Sequence, residues 1–193
     1  MKRSHLALVG LFLGGMTAAA GAAAWQLAHV GHHEGYAPRQ PIAFSHKIHA
    51  GDAKVPCLYC HFGARTSRHA GIPPTGVCMN CHDLLGKSTL DVQKLRDLVQ
   101  QDRSLEWVKV HNLPDFVYFN HSQHVFAAVS CRECHGAVES MERVVQKAPL
   151  TMGWCLDCHR RNGARAAGTV HAASAAVRDR APSPGLDCGK CHY

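Results

Sequence analysis

Residues 44–61 read FSHKIHAGDAKVPCLYCH. Two histidines three apart, His46 and His49, stand ahead of a Cys-x-x-Cys-His motif that opens at Cys57. The arrangement returns at residues 119–135, FNHSQHVFAAVSCRECH, with His121 and His124 ahead of Cys131. From the second histidine to the first cysteine is eight residues in one copy and seven in the other. A second Cys-x-x-Cys-His motif follows in each copy, with first cysteines 21 apart in one and 24 in the other. The chain is therefore an internal duplication, and the two copies are too few for a solenoid array.

All ten cysteines fall into five such motifs, and each motif ends in histidine. They are Cys57/Cys60/His61, Cys78/Cys81/His82, Cys131/Cys134/His135, Cys155/Cys158/His159 and Cys188/Cys191/His192. This spacing is the attachment signal of c-type haem: two thiols form thioethers, and the following imidazole supplies one axial nitrogen. Structural zinc sites also use Cys-x-x-Cys pairs, but they do not require histidine directly after every second cysteine. At this chain's histidine content, five in a row by chance is on the order of one in 10⁵ to 10⁶. The sequence thus calls for five c-type haems, with His61, His82, His135, His159 and His192 as proximal ligands. Covalent haem attachment belongs to the outer side of the bacterial membrane. That compartment invites disulfides, yet here every thiol is already committed.

Each iron keeps one open axial position. His46 and His49 cannot share it on one iron, because the opposite side is taken. Residues three apart lie on neighbouring parts of one helical surface, so the pair is expected to serve two different irons, and His121 and His124 likewise. For the fifth distal ligand the candidates are His111, in WVKVHNLPDF, and Met141, in ESMERV. A methionine would raise the potential of its iron relative to histidine. Met79 and Met152 lie within or beside motifs and read as packing residues, Met152 with Trp154.

The formal net charge of +7 points towards an acidic partner until the cofactors are counted. Ten propionates against five ferric cores bring the assembled protein to about +2, and reduction brings it to about −3. No nucleic-acid role follows; Lys and Arg read as propionate partners and solvated surface. Leu6 to Ala28 carries no formal charge over 23 residues, about 35 Å as a helix and enough for a bilayer core of about 30 Å. Lys2 and Arg3 ahead of it place the N-terminus in the cytoplasm. A cleaved signal peptide is the rival reading, but the uncharged length favours retention as a single-pass inner-membrane anchor with the rest on the periplasmic side. Gly10 and Gly14 form a small-xxx-small pattern of the kind that admits a neighbouring helix.

The expected organisation is an anchor at 1–30, a linker at 31–43, a first dihaem unit at 44–87, a helical connection at 88–118, a second dihaem unit at 119–160, and a flexible tail at 161–193 carrying the fifth motif. Ser88 is the expected N-cap of the connecting helix, with Val92, Leu95, Leu98 and Val99 as its apolar stripe and an end before Val108. A short helix is possible within the tail, at 170–178. Roughly one haem per 32 residues leaves too little chain for a side-chain core. The fold class expected is mostly α and irregular, wrapped around five haems, with few or no strands. The fifth motif, tied on through one loose link, reads as a terminal of the cofactor row.

F-x-H-x-x-H followed by C-x-x-C-H resembles class III, c3/c7-type multihaem cytochromes. The stretches IAFSHKIHAGDAKVPCLYCHFGARTSRHAGIPPTGVCMNCH, WVKVHNLPDFVYFNHSQHV and LTMGWCLDCHR are similar to the pentahaem cytochrome subunits of bacterial alternative complex III, over about residues 1–160. The resemblance implies bis-histidine low-spin electron carriers without a substrate site of their own. It also implies the partners of a quinol-oxidising complex: an iron–sulfur subunit, polytopic quinol-binding subunits, a monohaem cytochrome c and a terminal oxidase downstream. A related molybdopterin/iron–sulfur oxidoreductase is the alternative assembly. A multihaem reductase is the alternative activity, and it would need an iron with an open position. Pyridine haemochrome titration of the purified chain is expected to give five haems per polypeptide; two or three would refute the count.

Overall fold

The structure is a computed structural model that describes residues 3–28, 30–166 and 185–192. The helix expected at 170–178 and most of the tail lie outside the described residues. The chain divides into two units, Met1–His32 and His33–Tyr193. The first unit is one helix, α1 (Arg3–Ala28). Its segment Ala7–Leu27, 21 residues at a mean hydropathy of 1.7, is long and apolar enough to cross a membrane, a test that an N-terminal signal sequence also passes.

The second unit is built of short helices joined by irregular segments: α2 (Cys57–Cys60), α3 (Thr75–His82), α4 (Leu90–Gln100), α5 (His121–Phe126), α6 (Cys131–His135) and α7 (Met152–Ala166). A π-helical turn covers Lys47–Asp52, and 3₁₀ turns cover Phe62–Arg65, Val138–Ser140 and Cys188–Lys190. Among the described residues there is no strand, and one isolated bridge joins Val117 to His192. The first four haem motifs lie on or end α2, α3, α6 and α7, and the fifth opens a 3₁₀ turn. Helical spacing brings the two thiols of a motif, three residues apart, onto one face. Local signals start these helices. Pro56 and Pro74 enter α2 and α3 from extended backbone; Asn120 and Ser130 side chains accept from the backbone N–H groups of Ser122 and Arg132 at the starts of α5 and α6.

Helix α4 is capped by Thr89, whose hydroxyl accepts from Val92 N–H, and not by Ser88. It stops at Gln100, where Asp102 takes a φ of 51° and Arg103 N–H donates to the Leu98 carbonyl, a Schellman-like end. Of the apolar stripe, Val92 and Leu95 are buried, while Val99 stays exposed. Helix α7 runs on to Ala166, so the start of the expected tail is helical. Met152 is 65% exposed.

The side-chain core is small. Ile42, Leu95 and Leu105 form its centre, with Phe44, Cys78, Met79, Leu98 and Trp107 against it. Away from it, the fully buried Gln146 ties three segments together. Its backbone N–H donates to Tyr36 O and its carbonyl accepts from Gly35 N–H; its side chain accepts from Asn112 N–H at 3.0 Å and donates to Ala148 O at 3.1 Å.

The two repeats embrace reciprocally. The π turn of the first repeat, which carries His49 and is capped by His46, packs on the 138–140 turn that follows Cys131–His135; α5, the histidine-pair helix of the second, packs on the 62–65 turn that follows Cys57–His61. The backbone bonds match: Ser122 N–H donates to Ser67 O, and Lys47 N–H to Met141 O, residues at equivalent places in the two repeats. This is the self-complementary contact of a two-fold dimer, made within one chain. Gly51 sits where the contact is closest; a Cβ there would collide with the Glu139 carbonyl oxygen. Gly51→Ala is expected to destabilise the protein by about 1–3 kcal/mol, read as a lowered unfolding midpoint, whereas Gly76→Ala, where a Cβ meets nothing within 4 Å, should be tolerated.

Candidate haem-ligand site

The histidines singled out in the sequence come together in pairs. His46 lies opposite His61, with ring centroids 6.4 Å apart and planes within 4°. His121 lies opposite His135 at 6.3 Å and 9°. The second histidine of each pair faces the second motif of its own repeat: His49 opposite His82 at 6.0 Å and 58°, and His124 opposite His159 at 6.1 Å and 48°. Within each repeat, then, one His-x-x-His element reaches two different motif histidines.

The other ring nitrogen is tied down in most of these residues. Nδ1 faces the carbonyl oxygen of Gly71 in His61 (2.6 Å), of Leu85 in His82 (3.1 Å) and of Gly185 in His159 (3.0 Å). Among the upstream histidines, Nδ1 faces Ser45 O in His49, Arg68 O in His121 and Asn120 O in His124, each at 2.8 Å. A carbonyl only accepts, so each Nδ1 carries the proton and Nε2 is left with the lone pair. Burial, followed by the fields of His61 and His49, pushes His46 down to about 4; burial, then His111, His121 and His61, does the same to His135. Burial also lowers His124. These rings stay neutral at pH 7 and keep their donor lone pairs.

The motifs lie in a row that is not their order in sequence. Cys60 has Cys78 and Cys81 as neighbouring thiols. Burial and then the neighbouring Cys57 thiol, from the other repeat, raise Cys131. The Cys134 thiol is pushed up to about 11 by burial and then by Cys158 and Cys155. Cys155 is raised by burial first and then by Cys191. The spatial order is second motif, first, third, fourth, fifth. The fifth is also strapped to residues 116–118: Tyr118 N–H donates to Cys191 O at 2.7 Å, and Phe116 lies 5.8 Å from the His192 ring.

Residues 100–193 match the Class III cytochrome C family. The match covers a little under half of the chain. The menaquinone reductase multihaem cytochrome c subunit of Nitratidesulfovibrio vulgaris is 35% identical over 97 residues, half of this chain and 45% of that protein. The chain thus matches less than half the length of this relative. Class III cytochromes carry c-type haem, and the donor set here fits it. Two nitrogen–metal bonds of about 2 Å, plus about 1 Å from each nitrogen to its ring centre, require centroids about 6 Å apart, the spacing of all four pairs. The exposed or half-exposed thiols beside them can take the thioethers. Buried polar atoms without a protein partner, His46 Nδ1, Arg68 Nε and Arg96 Nε, fit a group that brings its own acceptors.

The two candidates for a fifth distal ligand are placed elsewhere. His111 Nε2 lies 3.1 Å from His135 Nδ1, with the rings at 84°, so this nitrogen is turned to the third motif and not to His192. Met141 is buried, its methyl against Gly136 and its carbonyl in the reciprocal contact. Met141 occupies the place of Ser67 in the other repeat, which explains it as packing. Phe44 and Phe119 have a role that spacing alone did not reveal. Phe44 lies edge-on to His46 at 4.9 Å and stacks on His49 at 4.4 Å; Phe119 repeats this with His121 at 4.8 Å and His124 at 4.4 Å. The signal was the phenylalanine two residues before the first histidine in both copies. In the holoprotein, His46→Ala is expected to remove a low-spin EPR signal of the near-parallel imidazole class and His49→Ala one of the tilted class. Loss of the same signal in both variants would refute the two-iron arrangement.

Proposed function

We propose that the chain is a membrane-anchored periplasmic pentahaem cytochrome c, the electron-transfer subunit of a quinol-oxidising respiratory complex of the alternative complex III type. The observation that supports this best is the set of four imidazole pairs at 6.0–6.4 Å, each joining a motif histidine to an upstream one. In this reading His46/His61, His49/His82, His121/His135 and His124/His159 are axial pairs, the ten cysteines anchor five haems, and His192 is the proximal ligand of the fifth. Bound there, c-type haem supplies a one-electron iron couple.

The protein's own contribution is placement. Phe44 and Phe119 and the carbonyls of Ser45, Arg68 and Asn120 set the imidazoles; burial keeps His46, His124 and His135 neutral; the reciprocal contact joins the inner ends of the two repeats. At the four irons these pairs would close, they favour electron relay over substrate reduction, which needs an open position. The row has two free ends, the second motif and the fifth, suited to a donor on one side and an acceptor on the other. The implied partners are an iron–sulfur subunit, polytopic quinol-binding subunits and a monohaem cytochrome c, with a terminal oxidase downstream. Helix α1 supplies the anchor.

A second reading has its own support. The Nitratidesulfovibrio vulgaris relative is a subunit of a menaquinone reductase, and a relay can run towards quinone as well as away from it. Quinol added to detergent-solubilised membranes is expected to reduce the haem α band. Reduction only from the periplasmic side, with reoxidation by menaquinone, would favour the second reading. Cys131→Ala/Cys134→Ala, in the middle of the row, is expected to confine quinol reduction to the haems on one side; Cys188→Ala/Cys191→Ala should leave the other four reducible. Undivided reduction of the remaining haems in the first variant, or bands that respond to neither quinol nor quinone, would overturn the proposed relay.

A further inference from the structure

The duplication supplies an internal control for each ligand's surroundings, and one residue departs from it. His61 and His135 hold equivalent places in the two repeats. His61 Nδ1 faces a backbone carbonyl, that of Gly71, at 2.6 Å, and His82 and His159 also face carbonyls. His135 Nδ1 instead faces a side chain, His111 Nε2, at 3.1 Å. His111 comes from the segment between the repeats and is held in place by a buried anchor: Gln146 Oε1, in a wholly buried side chain, accepts from the N–H of the next residue, Asn112, at 3.0 Å.

We infer that His111 is a positioning residue for the third motif, accepting the Nδ1–H of His135 and making that imidazole a stronger electron donor than its counterparts. The inference rests on the reading of His135 as an axial ligand through Nε2. With Nε2 committed to iron, Nδ1 must carry the proton and donate, so His111 accepts at Nε2 and keeps its own proton on Nδ1. An imidazole nitrogen, whose conjugate acid has a pKa of about 6.5, is a far stronger base than an amide oxygen. A stronger acceptor draws the Nδ1 proton outward and increases the donation from Nε2. Greater donation favours ferric over ferrous iron and lowers the potential of that site. A carbonyl acceptor is fixed by the backbone, but a histidine side chain can be substituted, so the partner of His135, unlike those of His61, His82 and His159, is adjustable by mutation. The third motif is also the middle of the row, where a change in potential acts on passage in both directions.

Full-length protein in detergent, titrated electrochemically and followed by EPR and visible spectra, tests this with His111→Leu and His111→Gln. In His111→Leu, the haem absent from the Cys131→Ala/Cys134→Ala variant is expected to gain about tenfold in its reduced-to-oxidised ratio at fixed potential, about 59 mV for one electron. The other haems should not move, and no new high-spin signal should appear. His111→Gln, which keeps an amide oxygen as acceptor, should shift the same haem less, and it decides the matter if the leucine variant does not assemble. Unchanged potentials in the variants that assemble would overturn the inference. So would a new high-spin signal with CO binding, which would make His111 an axial ligand of another iron. If His135→Ala left every haem low-spin and unshifted, the ligand reading itself would fall, a result separate from either outcome at His111.

Discussion

An imidazole can aim one nitrogen at a metal only if its other nitrogen is held. In this chain the holding is done largely by backbone carbonyls, and much of the irregular structure serves to bring a carbonyl to the right place. Leu85 O meets His82 because Gly86 turns the chain at a φ of 67°. Ser45 O and Asn120 O meet the histidines four residues later through a single helical turn. The Gly185 carbonyl reaches His159 from the far end of the chain. A fold with few buried apolar side chains can be specific when its polar groups are this constrained, since each misdirected ring would leave a buried nitrogen without its partner.

The Cys-x-x-Cys-His motifs, the duplicated histidine pairs and the mostly helical, strand-poor class were all legible in the sequence, because they rest on short-range spacing. The expectation that each His-x-x-His divides between two motifs came from valence, since one iron has one free side, and the ring pairs fit it. What could not be read were the contacts between repeats. Nothing near Cys57 announces Cys131 74 residues later, so the spatial order of the motifs had no local signature. His111 illustrates the same limit. Its composition and neighbourhood suited an axial ligand, but a histidine that binds iron and one that binds a histidine look alike in sequence. Ser88 and Thr89 differ by a single position, and hydroxyl geometry, not residue type, decided which caps α4.

The repeats are alike in detail and differ where they meet. His121 Nδ1 is bonded to Arg68 O across the contact, whereas His46 Nδ1 at the equivalent place is buried without a protein partner. His61 has a carbonyl partner, and His135 has an imidazole. These differences in partner fall at the inner motifs, where Cys57 and Cys131 are neighbours, although in spacing and tilt the inner pairs match each other as closely as the outer pairs do.

The reciprocal embrace carries a consequence for direction. Two separate copies of one repeat, meeting through the same self-complementary surface, would form an object with identical ends. Such an object could not tell a donor from an acceptor. Joining the copies in one polypeptide lets one end acquire an extension that the other lacks, and the fifth motif is attached beside the fourth alone. Fusion thus converts a palindrome into a vector: one end finishes at Cys78–His82, the other at Cys188–His192, and the two can evolve to meet different neighbours.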